Sequence, residues 1–301
     1  ILLALGKTPS PKNGAGKTNL LDAVYYISMT KSAFSTLDRF NFRYGTDVFS
    51  LAGTYSMQNG TESKFLVNVS GSGEKKVRRD GKLYEKISDH IGILPVVMVS
   101  PSDIDLVSEA SEQRRRFANS VLSQMDRQYL FDLQQYNRLL LQRNRMLKGF
   151  VSDRDLLAVM DEKMDGYAAS VYEKRREFAA VMEPVVAKYY RILSGGSESV
   201  SISYDSELSS MTLRQLFEAN AAKDAVLKYT SSVIHKDDFL FAMEGHPMRR
   251  CASQGQKKSF IVALKLAQYE IMKDSYGFPP ILLLDDVFDK LDLTRVGNLL
   301  E

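Results

Sequence analysis

A single cysteine, Cys251, excludes an intrachain disulfide and suits a reducing compartment. The three histidines, His90, His235 and His246, lie far apart in sequence, and with one thiol they make a poor framework for structural zinc. No apolar run approaches the length needed to span a bilayer, and Ile1–Leu5 is too short for a secretory core. Neither sign of charge dominates. The formal net charge is +3, so any surface for a polyanion must come from local clustering rather than from the total. What remains is ordinary for a globular protein: 301 residues, 44% hydrophobic and 26% charged, enough for one large core or two domains.

Against that background the stretch Ser10–Leu21, SPKNGAGKTNLL, organises the chain. Asn13, Gly14, Ala15, Gly16, Lys17 and Thr18 form a glycine-rich turn that delivers a lysine and a threonine into the first turn of a helix. Glycines let backbone N–H groups converge on a phosphate, and the helix end adds its positive pole. Lys17 is placed to reach the β- and γ-phosphates of a nucleotide, and the Thr18 hydroxyl to complete a Mg²⁺ shell. Pro11 stands where the full phosphate-loop pattern has its first glycine, so the loop's entry differs from the usual one. Taken alone, the motif also fits an ordinary glycine-rich turn before a helix. Ten residues precede it, room for one short strand, and residues are expected to be missing at or near this end.

Beyond the loop, Asn19–Met29 reads as a helix, and Phe49–Tyr55 and Lys64–Ser70 as strands joined at Asn59-Gly60. Lys75, Lys76, Arg78 and Arg79 make a basic hairpin, facing nucleic acid or simply solvent. Ile93–Val99 reads as a strand buried on both faces; Asp103, just past it, either positions water or metal or caps the next helix. From Glu112 to Tyr190 the periodicity is helical, broken at Gly149–Asp153, which predicts an antiparallel hairpin of two long helices. Glu198–Tyr204, Ser231–His235 and Phe239–Met243 read as strands and Leu213–Ala225 as a helix. His235, beside two carboxylates, is either a site element or a structurally bonded histidine.

The second half of a nucleotide site lies near the end. Ile281–Leu284 is an apolar strand ending in Asp285 and Asp286. A buried parallel strand presents its last side chains at the carboxyl edge of the sheet, where a phosphate loop also opens. Asp285 there can hold the Mg²⁺ shell, and Asp286 can orient or deprotonate the attacking water, at longer reach than a glutamate and hence slowly. Ser253, Gly255 and Gln256 open another helix, Lys257–Met272, as a second anion cradle. One nucleotide does not need two helix-end cradles from one chain. A two-fold dimer resolves this, each copy's Ser253–Gln256 covering the phosphates held by its partner's loop.

These residues together resemble the ABC-type ATPase heads of the SMC and Rad50 class, most closely the bacterial RecF recombination-repair family. The resemblance covers nearly the whole chain through NGAGKTNLLDAVYYIS, SPSD, RRRF, HKDD, SQGQKK and LLLDDVFDKLD, in that order. It implies an α/β fold: an ABC-type P-loop ATPase head with a mainly helical arm-bearing lobe. The head would be formed by residues 1–108 and 197–301, and the lobe by 109–196. Asn13–Thr18 would be the P-loop, Asp285 the Walker B carboxylate, Asp286 the catalytic acid, Ser253–Gln256 the LSGGQ-like element and Asp289–Asp292 the D-loop. The family binds ATP with Mg²⁺, forms an ATP-dependent homodimer, engages gapped DNA and hydrolyses slowly to release it. It works with the RecO and RecR proteins, in the cytoplasm and not at a membrane. The chain ends before the strand that would carry the family's γ-phosphate-sensing histidine, and impaired hydrolysis is expected from that.

DNA contacts are assigned to Lys75, Lys76, Arg78, Arg79, Arg249 and Arg250, with Arg114–Arg116 and Lys174–Arg176 as further contributors; the alternatives are simple solvated charge and, for the arginines beside Phe117, a brace within the head. Two other functions compete. A small-molecule kinase would leave Ser253–Gln256 and the helical arm unexplained, and an interaction protein with a decayed nucleotide site is suggested by Pro11.

Overall fold

The computed structural model describes residues 2–3, 16–149 and 154–285. In chain order these form β1 (Leu2–Leu3), α1 (Lys17–Met29), β2 (Val48–Ser56), β3 (Glu62–Ser70), β4 (Lys75–Arg79), β5 (Lys82–Leu83) and β6 (Val96–Val99). Then come α2 (Asp105–Ser108), α3 (Ser111–Met125), α4 (Arg127–Lys148), α5 (Arg154–Ser194), β7 (Val200–Asp205) and α6 (Leu213–Leu227). The remainder is β8 (Asp238–Met243), β9 (His246–Pro247), α7 (Met248–Cys251), α8 (Gln254–Tyr276) and β10 (Ile281–Leu284). The chain divides into two compact units, residues 1–101 with 272–290, and residues 102–271 with 291–301.

The first unit holds two sheets. In one, β10 pairs in parallel with both β1 and β6. All four residues of β6 are buried, as continuous Val-Val-Met-Val demands of a strand covered on both faces. The strand starts at Val96 rather than Ile93 because Gly92 and Ile93 turn back onto His90, and Pro95 contributes only its carbonyl, which accepts from the Ile281 N–H at 2.8 Å. Helix α1 lays Leu21 and Met29 onto Val96, Met98 and Leu283. The other sheet, β2-β3-β4-β5, is antiparallel and alternates strictly along β3: Phe65, Val67 and Val69 face inward onto Tyr26 and Ile27 of α1. One amphipathic helix thus closes both sheets.

The second unit is mainly helical. The expected pair of long helices is three, because Asp126 ends α3 in an extended conformation and its carboxylate caps α4, accepting from the N–H groups of Gln128 and Tyr129. Helix α5 runs for 41 residues, and residues 150–153 before it lie outside the described ones. Strands β7, β8 and β9 form an antiparallel sheet against which α5 packs.

Ser231–His235 is not a strand. Its backbone is pulled into a turn by side chains: Asp224 takes the Ser231 N–H and Asn144 the Thr230 N–H, while Arg175 donates to the Ile234 carbonyl at 2.6 Å. Val233 is left at φ +89°, costly for a β-branched residue and sustained only by this surrounding network. Arg175, fully enclosed, also donates to Tyr129 and Asn119 and faces Asp237, whose carboxylate accepts from Tyr204. Arg143 bridges Asp161 and Asp224, and its guanidinium lies 4.0 Å from the Phe217 ring centre. Removing one partner strands the other charge, so Arg143→Met should lower unfolding free energy by about 3–5 kcal/mol in urea titrations.

His235 donates from Nε2 to the Thr230 carbonyl and accepts the Tyr136 hydroxyl at Nδ1. Burial, reinforced by the charges of Lys236 and Arg115 and opposed by the Thr230 bond, holds its pKa at about 4 against an ordinary 6.5. The unfolded chain therefore takes up a proton that the folded chain refuses, and stability falls as pH drops through that window. A loss on the order of 3 kcal/mol between pH 7 and 4 is expected from this group, and a His235→Gln variant should show a shallower urea-midpoint slope.

Candidate nucleotide site and family membership

Gly16 adopts φ +78° and ends the loop where α1 begins, a conformation that favours glycine. No side chain among the described residues caps this helix start and its first turn holds no acid, so its N–H groups are arranged for an anion. Lys17 is exposed and Thr18 half-buried. At the far end of the chain, β10 carries Asp285 to the carboxyl edge of the sheet, where its N–H donates to the Val99 carbonyl at 2.9 Å. The Thr18 hydroxyl lies 3.1 Å from each oxygen of the buried Asp285 carboxylate. Residues 267 apart in sequence thus meet at one point.

The donor set fits a small hard cation. A hydroxyl and one carboxylate, beside an exposed lysine and open N–H groups, are what Mg²⁺ takes when phosphate and water supply its other ligands. Among the described residues no group of three or more histidine, cysteine or carboxylate side chains gathers to form a protein-only metal cage. Asn13, Gly14, Ala15 and Asp286, and the segment 289–292, lie outside the described residues.

The second cradle opens α8. Ser253 is exposed and its Oγ accepts from the Gln256 N–H, while the Gln256 side chain accepts the Ser253 N–H at 2.6 Å. This reciprocal capping box leaves the serine proton free to donate outward, next to an exposed Gly255. Gln256 also donates to Glu198 at 2.6 Å, which fixes it to the start of the β7 arm of the sheet.

The basic residues divide sharply. Lys75 is held inside the first unit, donating to the Thr30 carbonyl at 2.6 Å and pairing with Asp38 at 2.9 Å. Arg79 lies over Phe65 and reaches Ser63 and Asp80. Lys76 pairs with Glu74 at the surface, Arg78 is half-buried, and Arg249 and Arg250 stand exposed on α7. Arg114 grips Asp238 with two parallel bonds of 2.7 and 2.9 Å, and Arg115 donates to the Asp237 carbonyl. These arginines, with Arg175, brace the second unit; the HKDD segment is their acceptor. Asp103, just past β6, pairs at 2.7 Å with Lys265 of α8.

The DNA replication and repair protein RecF of Flavobacterium johnsoniae is 44% identical over 295 residues, covering 96% of this chain and 82% of that one. The chain belongs to the RecF family. A RecF of Parabacteroides distasonis is 41% identical, with 96% of this chain and 79% of that protein covered. The solved structure of the recombination mediator protein RecF with ATP, in the RecFOR pathway, superposes with a TM-score of 0.89 at 28% identity, over 96% of this chain and 80% of that one. No protein-family model matches the chain. The fold is therefore the ABC-type ATPase fold of RecF, and its function lies in DNA replication and repair with an ATP-dependent role.

The contact between Thr18 and Asp285 makes a direct prediction. Thr18→Val leaves a buried carboxylate without its hydroxyl donor and should lower unfolding free energy by about 1–3 kcal/mol in the absence of nucleotide, whereas Thr18→Ser should melt close to the parent.

Proposed function

We propose that this RecF-family chain is an ATP-gated DNA clamp: two copies close on ATP and Mg²⁺, hold DNA, and release it after slow hydrolysis. The observation that carries this reading is the Thr18 hydroxyl resting on the Asp285 carboxylate beside the open start of α1. On this reading Asn13, Gly14, Ala15 and Gly16 cradle the phosphates and Lys17 neutralises the β- and γ-oxygens. Thr18 and Asp285 hold Mg²⁺, which when bound offsets charge developing on the phosphates. Asp286 accepts a proton from the water whose oxygen attacks the γ-phosphorus, while the bond to the β–γ bridging oxygen breaks and ADP departs. Its short side chain accounts for slow turnover.

Ser253, Gly255 and Gln256 supply donors to the triphosphate of a second copy. Support comes from the exposure of Ser253 and Gly255 at the start of α8 and from the use of Ser253 Oγ as an acceptor in the capping box, which leaves its hydroxyl proton uncommitted there. The division into head parts 1–108 and 197–301 and a helical lobe 109–196 belongs to the same reading. DNA is met without base readout by Lys76, Arg78, Arg249 and Arg250, with Lys75 and Arg79 supporting the hairpin from within. The preferred substrates are gaps and junctions of single and double strands, and the partners are the mediators RecR and RecO in the cytoplasm. Among the described residues no helix is long and apolar enough to cross a membrane.

Solution mass and DNA retention with ATP and Mg²⁺ test the proposal. The parent should double its mass only with nucleotide. Lys17→Ala should weaken ATP binding by about 10- to 100-fold. Ser253→Arg should bind ATP as a monomer, and a Ser253→Arg protein that still dimerises would end the shared-site model.

A further inference from the structure

Between α1 and β2 the chain is braced from within and aromatic on the outside. Asp22 fixes its beginning, accepting from Ser32 Oγ and the Ala33 N–H at 2.7 Å each. Asp38 opens a short 3-10 turn and points inward, accepting from the Tyr26 hydroxyl at 2.6 Å and pairing with Lys75 at 2.9 Å. Phe42 packs against Phe49, with ring centres 5.6 Å apart, in the core cluster of Tyr26. The intervening side chains face the other way. Arg39, Phe40, Arg43 and Tyr44 are all exposed, Phe40 at 66% and Tyr44 completely. The Arg39 guanidinium lies 4.9 Å from the Phe40 ring centre.

This arrangement is unusual for a solvated loop. Single exposed rings are common, but contiguous ones mark a binding face, and here each directly follows an arginine in an Arg-aromatic pair repeated four residues on. The segment's carboxylate that could neutralise them, Asp38, is half-buried and already taken by Tyr26 and Lys75; its other carboxylate, Asp47, is exposed at its end. Two exposed cations alternating with two exposed rings match a ligand that alternates anionic groups with flat aromatic ones. An apolar protein partner would leave both guanidiniums buried without carboxylates. A duplex offers base edges in its grooves and hides base faces in the stack. A single strand offers phosphates and free base faces together.

We propose that Arg39, Phe40, Arg43 and Tyr44 form a stacking platform for unpaired nucleotides of single-stranded DNA, the rings taking successive bases and the arginines the intervening phosphates. The inference rests on the DNA-binding reading above and adds to it a site that senses the unpaired part of a gap. Rigidity is part of the design: because Asp22, Asp38 and Phe42 already hold the backbone, little ordering of the segment accompanies binding.

The chain has no tryptophan, so a Tyr44→Trp variant of the full chain carries one emission reporter at the site. It is titrated with oligothymidylate and with a blunt duplex of equal length, with and without ATP and Mg²⁺, alongside anisotropy of labelled DNA. The Tyr44→Trp emission should quench with the single strand and not with the duplex. Phe40→Ala with Tyr44→Ala should weaken oligothymidylate binding by about tenfold or more while leaving duplex binding within about twofold, and Phe40→Tyr alone should bind as the parent does. Unchanged emission at saturation, or full single-strand affinity in the double-alanine protein, overturns the platform. A parent that binds duplex but no single strand overturns it while leaving the DNA-clamp reading intact; a parent that binds neither overturns both.

Discussion

A hydroxyl near the start of the chain and a carboxylate near its end share a hydrogen bond, and the nucleotide site proposed for this RecF-family protein rests on their meeting. Neither group is unusual alone. Thr18 sits in the first turn of α1 because Gly16 can take a positive φ just before it, and Asp285 sits at a strand end because Ile281–Leu284 is apolar enough to run through the sheet. The parallel register of β10 against β6, Ile281 opposite Val96 through Leu284 opposite Val99, then sets how far the carboxylate projects. A register slip would move Asp285 by more than 3 Å per residue and separate the pair. Packing of Leu21 and Met29 on Val96, Met98 and Leu283 forbids that slip, so the apolar core of the first unit sets the geometry of its polar site.

The second unit solves a different problem. Its helices and small sheet are joined less by area than by guanidinium groups that each satisfy several acceptors. Arg114 spans α3 and β8, Arg143 ties α4 to α5 and α6, and Arg175 ties α5 to the turn before β8. Fully bonded charges of this kind specify one arrangement, since any other leaves a buried charge without a partner. The same demand shapes the turn before β8, where the Ile234 and Asp237 carbonyls accept from Arg175 and Arg115 rather than from a neighbouring strand.

Much of this was legible in the sequence and some was not, for reasons visible in particular residues. Lys17-Thr18 and Asp285 could be read because each lies at a switch between apolar periodicity and polar chemistry, and such switches survive in one dimension. The strands of the β2–β3 hairpin were equally plain, since alternation and Asn59-Gly60 are both local signals. Lys174, Arg175 and Arg176 were not separable: three adjacent cations look alike, yet the middle one points into the core while Lys174 and Arg176 meet Asp126 and Glu173 at the surface. The break at Asp126 was hidden by the polar face of an otherwise continuous helical period, although aspartate is among the favoured caps. Ser231–His235 has the alternation of a strand, but Asp224, Asn144 and Arg175, distant or off the pattern, decide its course. The Arg39–Tyr44 segment carries no such local signal: what sets it apart is the engagement of Asp38 by Tyr26 and Lys75, which its neighbours in sequence do not reveal.

The order of the parallel sheet bears on how such a chain leaves the ribosome. Strand β10 lies between β1 and β6, yet it is made last of the three. Until it emerges, the earlier two have no common neighbour among the described residues, and the Val-Val-Met-Val strand waits for β10 through the synthesis of residues 102–271. Contacts this distant in sequence form slowly, and exposed apolar edges invite wrong partners meanwhile. The second unit, whose bonds nearly all close within residues 102–271, can fold first and wait. The contact between Thr18 and Asp285 therefore forms only after residues 102–271 have been made.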